Sequence, residues 1–210
     1  MIFGNLDVQI IILLIPALVF SLSFHEFAHA WMAYKCGDNT AARLGRLTLN
    51  PLAHLDLFGS LMILFVGFGW AKPVPVDPRF LRKPRSDMMK IAAAGPGSNL
   101  LLAFISGLVF RLQGLYPILS DNLLLMVYYF TSINISLAIF NLIPVSPLDG
   151  SQIFSGYLMK NNPQLAWKIQ SYGPQVLFGL ILFGYLTGFS VIWFLMRPFV
   201  NFFMFLFAGV

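Results

Sequence analysis

The sequence predicts an all-α, polytopic membrane protein of four to five transmembrane helices, with a short strand or re-entrant segment between the first two spans. Three observations carry that prediction. Of the 210 residues, 58% are hydrophobic and only 10% charged, with a mean hydropathy of +0.79, and a soluble domain cannot bury that much apolar surface. The apolar residues fall in long runs broken by short polar stretches bearing Pro and Gly. The basic residues gather beside those runs, so the net charge of +5 points to membrane topology and lipid contact and not to nucleic acid. The length suits one membrane-embedded domain over 1–210, with a core at about 8–150 and C-terminal helices at about 151–210.

The first apolar run, Val8 to Tyr34, is about 27 residues or roughly 40 Å of helix, enough to cross a bilayer. It reads as a retained span and not a signal peptide, because it lacks a basic leader and is too long for a signal core. In its last third lies His25-Glu26-Phe27-Ala28-His29, which holds two of the three histidines and the only glutamate. Residues i and i+4 share a helix face, so His25 and His29 can aim ring nitrogens at one ion. Glu26, about 100° round the helix, can reach a water bound to that ion. This is the spacing of two zinc ligands and a general base. Ionisable side chains inside a membrane-length run are costly and mark function. A structural histidine pair would leave the glutamate between them unexplained.

A polar turn, 35–40, follows and contains Cys36, the only cysteine, read as a free structural thiol. Loose alternation from Arg43 to Leu49 suggests a short strand ending at Asn50-Pro51. The apolar patch Leu57–Trp70 is short for a span and carries three glycines, which fits a re-entrant or interfacial piece. Lys72 to Pro78 must be extended, because its prolines lack donors and restrict their predecessors. Further spans are expected at Met88–Phe110 and Leu123–Ile143, with an amphipathic helix at Ser151–Lys160. The apolar stretch 174–207 reads as one span of about 20 residues plus a shorter helix, two closely turned spans being the alternative. Nine Lys or Arg in 35–90, and none before Val8 or in 112–122, place 35–90 and 145–173 in the cytoplasm and the N-terminus outside.

Two histidines leave zinc in need of a third protein ligand. Asp38, His54, Asp56 and Asp149 all fall on the same side, and spacing does not choose among them. Three motifs together add a resemblance: Phe24-His25-Glu26-Phe27-Ala28-His29, then Gly95-Pro96-Gly97-Ser98-Asn99, then Asn141 with Pro144, Pro147 and Leu148-Asp149-Gly150. In this order over about residues 20–150, they resemble the site-2 protease family of intramembrane metalloproteases, peptidase family M50. Asn50 to Asp56 and Gly69 to Val76 also resemble its compact prokaryotic members. The resemblance implies that His25, His29 and Asp149 hold one zinc ion per chain and that Glu26 is the base. It implies that Asn99 and Asn141 steady the substrate strand or the oxyanion, and that His54 lies near the site. The implied substrates are transmembrane proteins or peptides in the lipid bilayer of a prokaryotic plasma membrane, with room for a regulatory membrane partner or an oligomer, and the basic-residue asymmetry places the site toward the cytoplasmic side. The competing reading is a metal-ion or proton transporter. It would need further ionisable residues along a path, and the second and third spans have none in their interiors.

Overall fold

The computed structural model describes residues 8–59, 62 and 69–210. Among these the chain is helical, in the order α1 (Val8–Cys36), α2 (Thr40–Arg43), α3 (Pro84–Gln113), α4 (Asp121–Asn141), α5 (Asp149–Leu158), α6 (Pro163–Thr187) and α7 (Val191–Ala208). Single 3-10 turns lie at Pro51–Ala53 and Pro78–Phe80. By length and composition α3, α4 and α7 are able to cross a membrane. The expected spans at 88–110 and 123–143 correspond to α3 and α4, and the amphipathic helix corresponds to α5.

Local chemistry explains the boundaries. Pro84 and Pro163 stand in the first turns of α3 and α6, where their missing donors cost nothing. Asn162 accepts from Leu165 N at 3.0 Å and Ser190 Oγ accepts from Trp193 N at 3.2 Å, capping α6 and α7. Gly188, at φ +73°, ends α6 in the left-handed region that side chains avoid. The C-terminal apolar stretch is thus divided at Gly188, between two helices of 25 and 18 residues. It is not divided at Arg197-Pro198, through which α7 runs unbroken.

The strand expected over Arg43–Leu49 is not formed, and the described residues contain no β-ladder, only an isolated antiparallel bridge between Leu55 and Ala71. Gly45 turns the chain at φ +69°. The inward position in the alternation belongs to Arg46, 6% exposed, which donates to the carbonyls of Pro73 (3.2 Å) and Lys72 (2.5 Å). Period-two patterning here reflects one buried arginine, not a sheet face. Most of the expected re-entrant patch, at 60, 61 and 63–68, lies outside the described residues. Lys72 to Asp77 forms no helix, as its prolines require, and leads into the next turn through Asp77 in an extended conformation.

Helix α3 is the hub, packing against α1, α4, α5 and α7. One apolar core joins α3, α4 and α7 through Ala103, Ile135, Met196, Val200, Met204 and Ala208. A second, smaller one places Cys36 with Ala33, Leu81 and Ile91, so the thiol is free and buried. Where α3 ends, Arg111 donates to the Phe205 carbonyl at 3.1 Å, so α7 finishes at the same face of the bundle as α3.

A candidate metal centre between three helices

The two histidines leave α1 on one face and meet α3 where it carries its glycines. A Cβ on Gly95 would lie 2.6 Å from His25 Nε2 and would also strike His29 Nε2, so only glycine lets the helices meet at this depth. Gly150 does the same for the third group. A Cβ there would sit 2.5 Å from the Ile143 carbonyl oxygen, so its absence lets the start of α5 tuck under the end of α4. Asp149, the first residue of α5, is thereby carried back to α1 across a seven-residue loop containing a cis Ser146–Pro147 bond.

His25 Nε2, His29 Nε2 and Asp149 Oδ2 form a triangle with edges of 3.0, 3.2 and 3.3 Å. A tetrahedral zinc with Zn–N of about 2.0–2.1 Å separates its ligand atoms by roughly 3.3–3.4 Å. The hydrogen bonds at the far ring nitrogens orient the two imidazoles. His29 Nδ1 lies 2.7 Å from the Ile91 carbonyl oxygen, which only accepts, so His29 carries its proton there. His25 Nδ1 lies 2.6 Å from Asn99 Oδ1. The Asn99 amide is oriented by its other end, where Nδ2 donates to Asn134 Oδ1 (2.9 Å) and Ser21 O (3.3 Å). Both rings thus commit Nδ1 to a partner behind them and turn Nε2 toward Asp149, the orientation in which a neutral imidazole offers its Nε2 lone pair to a metal. Asp149 Oδ2 is buried without a hydrogen-bond partner. Two imidazole nitrogens and a carboxylate oxygen converge at the spacing of metal ligands, and that donor set fits a divalent cation such as zinc. These are also the only His, Cys, Asp or Glu among the described residues that group in this way.

The other sequence candidates go elsewhere. Asp38, wholly buried, accepts from the backbone N–H of Thr40 (2.9 Å) and Asp77 (2.8 Å). Asp56 accepts from Gly59 N at 2.8 Å. His54, 1% exposed, places Nε2 2.7 Å from Thr48 O and Nδ1 3.4 Å from Arg46, and its carbonyl accepts from Lys72 N. It ties the 46–73 loop together and is not part of the triangle. Glu26 is 9% exposed and within electrostatic range of the His29 ring. Asn99 is fully buried with both ends of its amide committed to His25, Asn134 and Ser21, not to an open substrate face. Asn141, half-buried at the end of α4, donates to Leu137 O at 2.9 Å in its own helix. Sequence reasoning missed Asn134 and Ser21, although an asparagine amid the apolar residues of a span was a visible signal.

Two histidines and an aspartate grouped as metal ligands, beside the single glutamate of a long and mostly apolar helix, make the apparatus of a membrane-embedded metallopeptidase. The chain belongs to peptidase family M50, whose model matches residues 13–120 and 116–184. Among its relatives is a Bacillus subtilis (strain 168) protein named "Putative zinc metalloprotease YwhC", 42% identical over 185 residues, or 86% of this chain and 84% of the relative. "Putative zinc metalloprotease Rip2" of Mycobacterium tuberculosis H37Rv is 28% identical over 194 residues, 89% of this chain and 73% of the relative. "Zinc metalloprotease MJ0392" of Methanocaldococcus jannaschii is 26% identical over 184 residues, 87% of this chain and 45% of the relative. No solved structure matches the chain.

Proposed function

We propose that this protein is an intramembrane zinc metalloprotease that hydrolyses a peptide bond within or near the transmembrane segment of a membrane-protein substrate. The observation that carries this reading is the triangle of candidate ligand atoms on His25, His29 and Asp149, with Glu26 beside it in α1. The three side chains would hold one zinc ion per chain and leave a position open, as catalytic zinc sites do. An ion held there would supply Lewis acidity, making a bound water more acidic and a peptide carbonyl more electrophilic. Glu26 is the residue placed to serve as general base, and would accept a proton from the attacking water and return it to the leaving amine nitrogen. Asn99 orients His25. Asn141, half-buried at the start of the loop to Asp149, meets the substrate strand or the oxyanion. Carbonyls of a helical substrate are already hydrogen-bonded, so the substrate unwinds before attack, and helix-weakening residues near the cut favour it.

We place α1 with α3, α4 and α7 as membrane spans of a prokaryotic plasma-membrane protein, with the N-terminus outside and 35–90 and 145–173 in the cytoplasm. Nine Lys or Arg in 35–90 against none in 112–122 support this orientation. It puts the cut in the cytoplasmic half of the substrate span. In a Cys36→Ala background, a cysteine at Thr40 should label from the cytoplasm and one at Tyr116 from outside. Labelling of position 116 from the cytoplasm would overturn the orientation.

A transporter reading lacks a path. Beyond the Asp87–Lys90 ion pair in the first turns of α3, the buried polar side chains of α3 and α4 are Asn99, Ser106, Thr131 and Asn134, all without charge and all hydrogen-bonded. The deciding experiment is Glu26→Gln, nearly isosteric but unable to take a proton. It should keep its zinc and lose cleavage of a single-span substrate by about 10²–10⁴-fold, the worth of general-base help. Wild-type cleavage by that variant sinks the mechanism.

A further inference from the structure

The polar side chains behind His25 form a directed chain that crosses three helices. Ser21 Oγ in α1 donates to Ala17 O at 2.7 Å and accepts from Asn134 Nδ2 of α4 at 2.8 Å. The same Nδ2 donates to Phe130 O at 2.9 Å, which uses both of its hydrogens. Asn134 Oδ1 accepts from Asn99 Nδ2 of α3, and Asn99 Oδ1 accepts from His25 Nδ1. Ser21, Asn99 and Asn134 are each fully buried, and every donor of these three side chains has an acceptor.

Direction matters as much as occupancy. An isolated Asn99 could turn over and present Nδ2 to His25. The imidazole would then have to accept at Nδ1 and carry its proton on Nε2, the atom that faces His29 and Asp149. Asn134 Oδ1 forbids that flip, because a reversed Asn99 would set two carbonyl oxygens against each other. Asn134 in turn is fixed by two acceptors, Ser21 Oγ and Phe130 O. The tautomer of His25 is therefore set two residues away, in a helix that contributes no ligand.

We propose that Asn134 is a positioning residue for the metal centre: acting through Asn99, it holds the His25 proton on Nδ1 and keeps the Nε2 lone pair facing the ion. Ser21 closes the chain back onto α1, one turn before His25, so the same bonds register α1, α3 and α4. This inference rests on the zinc reading of the site and extends it to how the site is held.

The test uses the purified full chain, stripped with a chelator and titrated with zinc against a chromophoric competitor, with cobalt(II) as a spectroscopic substitute. Asn134→Ala should weaken zinc binding about 10–100-fold, the usual cost of losing a supporting partner of a metal ligand, and should alter the visible cobalt band. In a His25→Ala background the same substitution should change the residual affinity no further, because its effect passes through His25. Where the alanine variant does not fold, Asn134→Leu fills the space with apolar atoms and makes the same comparison. Wild-type zinc affinity in the alanine or leucine variant overturns the proposal, and so does an equal loss with and without His25. A wild-type protein that takes up no zinc overturns the site reading itself, which separates the two failures.

Discussion

Gly95→Ala puts a single methyl group into the closest approach between α1 and α3. In the structure the new Cβ would lie 2.6 Å from both Nε2 and Cε1 of His25, and closer still to His29 Nε2. Ordinary van der Waals contact begins at 3.4 Å, so the His25 ring or the α3 backbone must move by 3.4 − 2.6 = 0.8 Å. Metal–ligand distances tolerate about 0.2 Å. The displacement is several times what zinc accepts, and it falls on both histidines at once. Zinc affinity should drop by at least the roughly 10–100-fold that loss of a mere supporting bond costs.

Folding stability should respond far less. Overpacking costs about 1–3 kcal/mol, while replacing glycine by alanine within a helix returns up to about 1 kcal/mol. The net change is then at most about 2 kcal/mol of destabilisation. Gly97→Ala, two residues on, is the control, since nothing lies within 4 Å of its Cβ. It should leave zinc binding at the wild-type level. The assay is zinc content after dialysis against graded chelator, read beside thermal unfolding of each variant in the same detergent. A Gly95→Ala protein that is folded and retains wild-type zinc affinity would refute the geometry of the centre.

Two further substitutions separate what holds the site from what holds the loops. Arg85 donates to the carbonyls of Gly156 (2.6 Å) and Tyr157 (3.1 Å), gripping the far end of the helix whose first residue is Asp149. Arg85→Ala should weaken zinc binding up to about 10-fold, with Arg85→Lys intermediate because one ammonium cannot reproduce the fork; chelator titration measures both, and unchanged affinity in the alanine variant rejects the grip. His54→Ala should keep its zinc and lose about 1–3 kcal/mol of stability, because the Thr48 carbonyl and Arg46 lose a buried partner. Loss of metal with unchanged thermal stability would return His54 to the ligand set.

How far the sequence could be read depended on whether the information was local. The pentad in α1 was legible because helical periodicity alone puts His25 and His29 on one face. The spans α3 and α4 were legible because an apolar run of membrane length has few alternatives. The Arg43–Leu49 strand failed for a local reason too: the pattern was real, but its inward member was a buried arginine that bonds to Lys72 and Pro73. That 174–207 divides into two helices was legible, but not where, because Gly188 and Arg197-Pro198 both interrupt the run. In a membrane helix a proline is tolerated, and Gly188 with its positive φ is the stronger stop.

The third ligand marks the limit of spacing as an argument. Asp38, His54, Asp56 and Asp149 were equivalent by sidedness, and what separates them is which backbone groups each must satisfy. Asp38 and Asp56 accept from nearby N–H groups and His54 is held by Thr48 and Arg46. Asp149 begins a helix, where donors are plentiful, yet its Oδ2 takes none of them and points at two imidazoles. That choice is made by Gly150, which lets the Leu142–Ile143 carbonyls approach, and by Arg85 and Gly156 at the other end of α5, where a Cβ would meet Met89. Each of these contacts joins residues far apart in the chain or depends on an absent Cβ, so no periodicity reports them. The same holds for Asn134, which acts on His25 only through Asn99. A metal site between helices is thus written in two layers. The ligands on one helix can be found by spacing, while the small residues and amides that bring the other helices to them are found only once the packing is known.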